Sequence, residues 1–141
     1  MTYITSIIGV GFTTAVTVVG ETNGFLLIKN KRQLVSYAGY DVIKKDSGTS
    51  VHSKPRISKK GNKHIRKALH LPALSSIRHN EHSKDQFIRM VQKHGIKMKA
   101  AVAIQRKILV LIYTLWKKEE FFDPYFLNKD LQNEIGQLSL P

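Results

Sequence analysis

The chain has 141 residues, with 23 Lys and Arg against 10 Asp and Glu, for a formal net charge of +13 and a pI near 10.1. That length points to one domain, and 42% hydrophobic residues suffice for a core, which excludes wholesale disorder. The absence of cysteine removes disulfides, thiolate metal sites and cysteine nucleophiles. No apolar run approaches the ~20 residues that span a bilayer. The apolar stretch Ile4–Val19 has no charged flank and is broken by glycines, so it does not read as a signal peptide. The expectation is a soluble, cytoplasmic, nucleoid-associated protein with a polyanionic partner.

Taken in chain order, the first element pairs two apolar segments around Gly9-Val10-Gly11. Many of these residues are β-branched, which favours strand, but the turn chemistry favours two short helices. Asn30 with Gln33 forms a capping box for a helix carrying Leu34, Val35 and Tyr37, and Gly39 ends it as a left-handed cap. Residues 1–39 therefore read as a helix-hairpin-helix-like element.

Residues 40–61 read as a basic loop, being rich in Gly, Ser, Pro and Asn and longer than structureless connections usually are. No acid occurs between Ser47 and Asn80, while Lys54, Arg56, Lys59, Lys60, Lys63, Arg66, Lys67 and Arg78 all fall there. A block of one sign repels itself and is stabilised by a phosphate backbone, although a merely solvated loop has the same composition. No Trp or Phe accompanies it to anchor a membrane surface.

Residues 62–125 read as a helical bundle. Asn62 caps a helix with Ile65, Leu69, Ala73 and Ile77 at steps of four, beside a basic ridge of Lys63, Arg66, Lys67 and His70. Pro72 is expected to kink or divide this helix. Ser83 with Gln86 reads as the next capping box, its helix closing at His94-Gly95. The longest helix runs from about Lys97 to Lys118, and its broad apolar face marks it as central. The polar tail, 126–141, is expected to fray. No run is convincing as a strand, so the fold class is all-α.

Two motifs could carry chemistry. Glycines at 9 and 11 would let a backbone phosphate approach the amides of the following helix, and a plain inter-helix turn needs them equally. Ser47, beside Gly48 on the loop ahead of the basic ridge, has the setting of an exposed nucleophile held near positive charge. Serine next to glycine is also ordinary loop chemistry. His52, His64, His70 and His79 match no zinc spacing and read as basic-face residues.

In order, Ile7-Ile8-Gly9-Val10-Gly11, the Lys31-Arg32-Gln33-Leu34 run into Tyr37-Ala38-Gly39, Ser47-Gly48, Arg56 to Asn62, Ile65-Arg66 with Ala68-Leu69, and Phe122-Asp123-Pro124 resemble one family. It is the C-terminal transposase domain of the IS110 type of insertion-sequence transposases, the IS116 and IS902 group, over residues 4 to 125. The resemblance implies DNA recombination with a structured guide RNA, in a homo-oligomer. It also implies an N-terminal RuvC-like domain whose acids hold Mg2+, no cofactor being expected in this chain.

The resemblance makes Ser47 the nucleophile. It puts Arg56, Ser58, Lys59, Asn62 and Arg66 on the nucleic-acid side, which the charge pattern and the glycine turn extend to Gly9, Gly11, Lys54, Lys60, Lys63 and Lys67. Ile8, Tyr40 and Val42 depart from the family's proline, leucine and proline. Only Met1 to Ser6 precede the hairpin, so the chain is expected to be inactive alone and to need a RuvC-like polypeptide. A freestanding, non-catalytic helix-hairpin-helix protein that binds DNA or RNA is the competing expectation, and a ribosome-associated basic protein would explain the charge but not the ordered motifs.

Overall fold

The computed structural model describes residues 1–44 and 46–125. The fold is mostly helical. Helices α1 (Thr2–Thr5), α2 (Phe12–Glu21) and α3 (Lys31–Ala38) precede four two-residue strands, β1 (Val42–Ile43), β2 (Asp46–Ser47), β3 (Val51–His52) and β4 (Arg56–Ile57). Helices α4 (Lys63–His79), α5 (Glu81–His94) and α6 (Lys97–Lys118) complete it. The expected polar tail, 126–141, lies outside the described residues.

Helix α6 is the axis of the core. Ile104, Ile108, Leu109, Ile112 and Leu115 are buried along it, and α1, α3, α4 and α5 pack around it, with α2 laid on α4. On α4 the four-residue steps bury Ile65, Leu69 and Ala73 completely. Phe25 fills the end of the core, its ring edge-on to Tyr113 at 5.4 Å. The chain after α6 folds back: Phe121 stacks edge-on against Tyr3 at 4.9 Å, and the Phe122 amide donates to Ser6 Oγ at 2.8 Å. Phe121 and the Phe122 amide thus fasten the chain after the last helix to the first helix and its cap.

The capping chemistry at 30, 39 and 62 is realised. Asn30 Oδ1 accepts from the Gln33 amide, and Gln33 Oε1 reaches back to the Lys29 amide, both at 2.8 Å. Gly39 ends α3 with φ +79°. Asn62 Oδ1 accepts from the amides of His64 and Ile65.

Three expectations need correction. First, Pro72 does not divide α4, which is continuous through it. A prolyl nitrogen cannot donate to the Ala68 carbonyl, and the Thr14 hydroxyl of α2 donates to it instead at 3.3 Å. The defect is repaired from outside, so the helix does not break. Second, α5 begins three residues before the Ser83 box, with Asn80 as its cap, accepting from the amides of His82 and Ser83. Ser83 lies inside the helix, buried, and accepts from Ser76 Oγ at 2.8 Å.

Third, the basic loop is not structureless. Val42 pairs with Ile57 and Ile43 with Arg56, and further out Asp46 pairs with His52 and Ser47 with Val51, all antiparallel. These nested pairs make one β-arm. The register shifts by one residue between inner and outer pairs, because the returning limb has an extra residue beside Pro55, as at a bulge.

Candidate nucleic-acid interface

The base of the arm is built from backbone carbonyls. The Ser58 amide donates to Asp41 O (2.8 Å), the Lys59 amide to Gly39 O (3.1 Å) and the Asn62 amide to Tyr37 O (2.7 Å). The returning chain is thereby zipped along the end of α3. Arg66 locks the seam from α4: Nη1 donates to Ala38 O (2.8 Å) and Gly61 O (3.0 Å), and Nη2 to Lys59 O (3.3 Å). Gly61 must lack a side chain, since a Cβ there would overlap the Gly39 nitrogen and Tyr37 O. Lys59 holds φ +56°, a left-handed conformation costly for a residue with Cβ, and its amide and carbonyl are both held in the seam.

The residues expected on the nucleic-acid side therefore divide. Arg66, Asn62 and Ser58 are engaged inside the protein: Asn62 caps α4 and donates through Nδ2 to Glu21 Oε2 at 2.6 Å, and Ser58 Oγ donates to Gly39 O at 3.4 Å. Gly9 has an internal reason as well. At φ +92°, its missing Cβ would lie 2.7 Å from Pro72 O and 3.0 Å from the Ser76 nitrogen, so the hairpin turn is pressed onto the α4 backbone. Gly11 opens α2 and faces open space, with nothing within 4 Å of a Cβ built there.

The remaining basic residues form the surface. Lys54, Arg56, Lys59, Lys60, Lys63 and Lys67 are all exposed, along the returning limb, the base and the first turns of α4. The acids at the base are occupied: Asp41 Oδ2 accepts from Ser36 Oγ at 3.0 Å and Glu21 from Asn62. Three cations, Lys63, Arg66 and Lys67, also stand at the start of α4, where the helix dipole disfavours positive charge; the first turn itself contains no acid, and Glu21, held on the Asn62 cap, is the acid beside it. An anion docked there would relieve that cost.

Ser47 closes the outermost pair of the arm, immediately before the turn Gly48-Thr49-Ser50. Gly48 has φ +59° and stands open to solvent. Tyr40, by contrast, is buried, donates to Gln105 Oε1 at 2.9 Å, and has its phenol pushed far above the ordinary tyrosine range by burial, Arg66 opposing weakly. It is a core residue that keeps its proton. Among the described residues no group of three or more His, Asp or Glu is placed to hold a metal ion.

The locked seam was not foreseen from sequence, although Gly39 and Gly61 marked its two sides. Both limbs of the arm and both glycines lie within the segment, residues 1–87, that matches the family described as Transposase IS116/IS110/IS902. The chain belongs to that transposase family. It is also similar to a pilin gene-inverting protein of Moraxella lacunata, 32% identical over 107 residues, which is 75% of this chain and 32% of that protein. The homonymous protein of Moraxella bovis is 31% identical over 106 residues, 74% of this chain and 32% of the relative. The transposase-family chain spans about a third of the length of these relatives.

Proposed function

We propose that this domain acts in DNA transposition or recombination, binding nucleic acid through its basic arm and supplying Ser47 as the nucleophile. The reading rests on family membership and on the names of the gene-inverting relatives. The observation that carries its finer part is the placement of Ser47 at the tip of a basic arm whose base is locked by Arg66. A rigid base fixes the direction of the arm, and an extended tip can enter an active site on another polypeptide.

In the proposed step the Ser47 oxygen attacks a DNA phosphorus, the P–O bond to one deoxyribose breaks, and that sugar oxygen takes up a proton. The strand end is then held as a serine phosphodiester, and attack by a free strand hydroxyl reverses the chemistry and joins the DNA. The exposed cations stabilise charge developing on the phosphate oxygens. A RuvC-like domain or polypeptide is the proposed site of Mg2+ chemistry. A structured guide RNA, a homo-oligomeric assembly and a nucleoid location are further parts of the same proposal. No helix among the described residues is long and apolar enough to cross a membrane.

The test is to trap the covalent product. Mixed with DNA and a family RuvC-like polypeptide, the chain is expected to give a denaturant-stable DNA adduct on the peptide containing Ser47. Ser47→Ala is expected to abolish it while retaining DNA binding, and Ser50→Ala to leave it intact. An adduct that persists in Ser47→Ala refutes the nucleophile. DNA binding without any adduct supports the non-catalytic helix-hairpin-helix module instead.

A further inference from the structure

A second set of basic groups lies away from the arm, in the cleft between α5 and α6. His82, Gln86, Arg89 and Lys93 follow one another at steps of four, three and four, which places them on one face of α5. Opposite them, from α6, comes Lys107. Met90 completes the lining. Lys107 is half-buried, and its hydrogen bond among the described residues runs from Nζ to Gln86 Oε1 at 2.7 Å, a neutral partner.

The cleft therefore gathers like charges without a carboxylate at their centre. Both titrating groups register the crowding. The Lys107 ammonium is held below its ordinary range by burial and then by Arg89. The His82 imidazole is lowered by burial, then by Lys107 and Arg89, with Asp85 opposing weakly. A protein gains nothing for its own fold by bringing Arg89 towards a half-buried lysine, and an anion between them reverses the sign of that interaction.

We propose that the α5–α6 cleft is a second phosphate-binding track for nucleic acid, separate from the basic arm. From His82 to Lys93 the α5 face extends about 16 Å, enough to follow several successive phosphates of one strand. Gln86 takes one of the three donors of the Lys107 ammonium, which leaves two for a strand in the cleft. Arg89, Lys93 and Lys107 lie beyond the segment that the family match covers. The inference rests on the nucleic-acid reading given for the arm, and it adds a contact that sequence charge conceals, since Glu81 and Asp85 nearly balance the charge counted along α5.

Fluorescence anisotropy of the purified chain on duplex and single-stranded DNA, over a range of salt, tests the cleft and the arm separately. The exposed pair Arg89→Gln with Lys93→Gln is expected to lower the slope of log K against log salt by about 2. It is expected to weaken binding at least about tenfold near 0.1 M salt. Lys107→Met, which keeps the buried stem, is expected to lower the slope by about 1. The arm pair Lys54→Gln with Arg56→Gln is expected to give an independent loss, so that combining the pairs multiplies the effects. Thermal melting by circular dichroism checks that each variant is folded. If both cleft variants bind like the wild type while the arm pair weakens, the cleft is refuted and the arm reading stands. If the wild-type chain binds neither DNA, both fall.

Discussion

Arg66 separates architecture from ligand contact better than any other residue, because the family resemblance assigns it to nucleic acid and the structure assigns it to three carbonyls. Arg66→Lys keeps the positive charge but loses the planar fork. A lysine ammonium placed near Ala38 O and Gly61 O can keep one of the three bonds and cannot span to Lys59 O as well. Each charge-assisted bond contributes about 1.5–3 kcal/mol when well enclosed, and the half-buried setting puts these at the low end. Two lost bonds then destabilise by about 2–3 kcal/mol, which lowers the melting midpoint by on the order of 10 °C. Urea unfolding followed by circular dichroism measures the loss. Hydrogen exchange locates it: the amides of Lys59 and Asn62, which bridge the seam, are expected to lose protection first. The salt slope of nucleic-acid binding is expected to stay unchanged, since Arg66 was never spare. Unchanged stability with a weakened nucleic-acid complex would refute the reasoning and return Arg66 to the interface.

Three further predictions follow from the same geometry. Gly9→Ala meets the α4 backbone at a positive φ and is expected to destabilise by about 2–4 kcal/mol, whereas Gly11→Ala, in open space, is expected to stay within about 0.5 kcal/mol by the same urea assay. Thr14→Val leaves the Ala68 carbonyl without its donor and is expected to cost about 1–2 kcal/mol; in a Pro72→Ala background, where the backbone N–H returns, that cost is expected to vanish in a double-mutant cycle. His82 has a folded-state pKa below its ordinary 6.5, so the unfolded chain takes up its proton first as pH falls. Its contribution to stability is therefore present above pH 6.5 and is lost as pH drops through and below that value, a component that His82→Gln is expected to remove from the pH–stability curve. Bound nucleic acid favours the imidazolium, so affinity is expected to rise over the same fall in pH and to rise less in His82→Gln.

What the sequence made legible was local chemistry. As helix caps, Asn30, Gly39 and Asn62 act within four residues of themselves, and α6 carries enough apolar positions for its period to be read directly. The β-arm was hidden because two-residue strands contain no alternation to detect, and its limbs are polar and basic like any loop. Ser83 and Gln86 imitate a capping box, but Asn80 stands three residues earlier and supplies the side chain that caps the helix. The internal roles of Arg66, Gly61 and Gly9 depend on chain segments that meet only after folding, so the carbonyl contacts of Arg66 and the close packing at both glycines could not be read from residue type. The α5–α6 cleft escaped notice for a related reason. Charge counted along α5 is nearly balanced, and only the fold sets Lys107 against Arg89.

The most direct test of the account is a salt titration of the wild-type chain on duplex DNA and on a folded RNA, repeated with Lys54, Arg56, Lys60 and Lys63 all changed to glutamine. The account predicts a wild-type slope of roughly 5 or more, falling by about 4 in the variant with the melting midpoint preserved. Tighter binding of the folded RNA would further favour the guided form of recombination. Binding that ignores salt, or a slope that survives loss of all four cations, would contradict the claim that the arm and the start of α4 form one phosphate-binding surface.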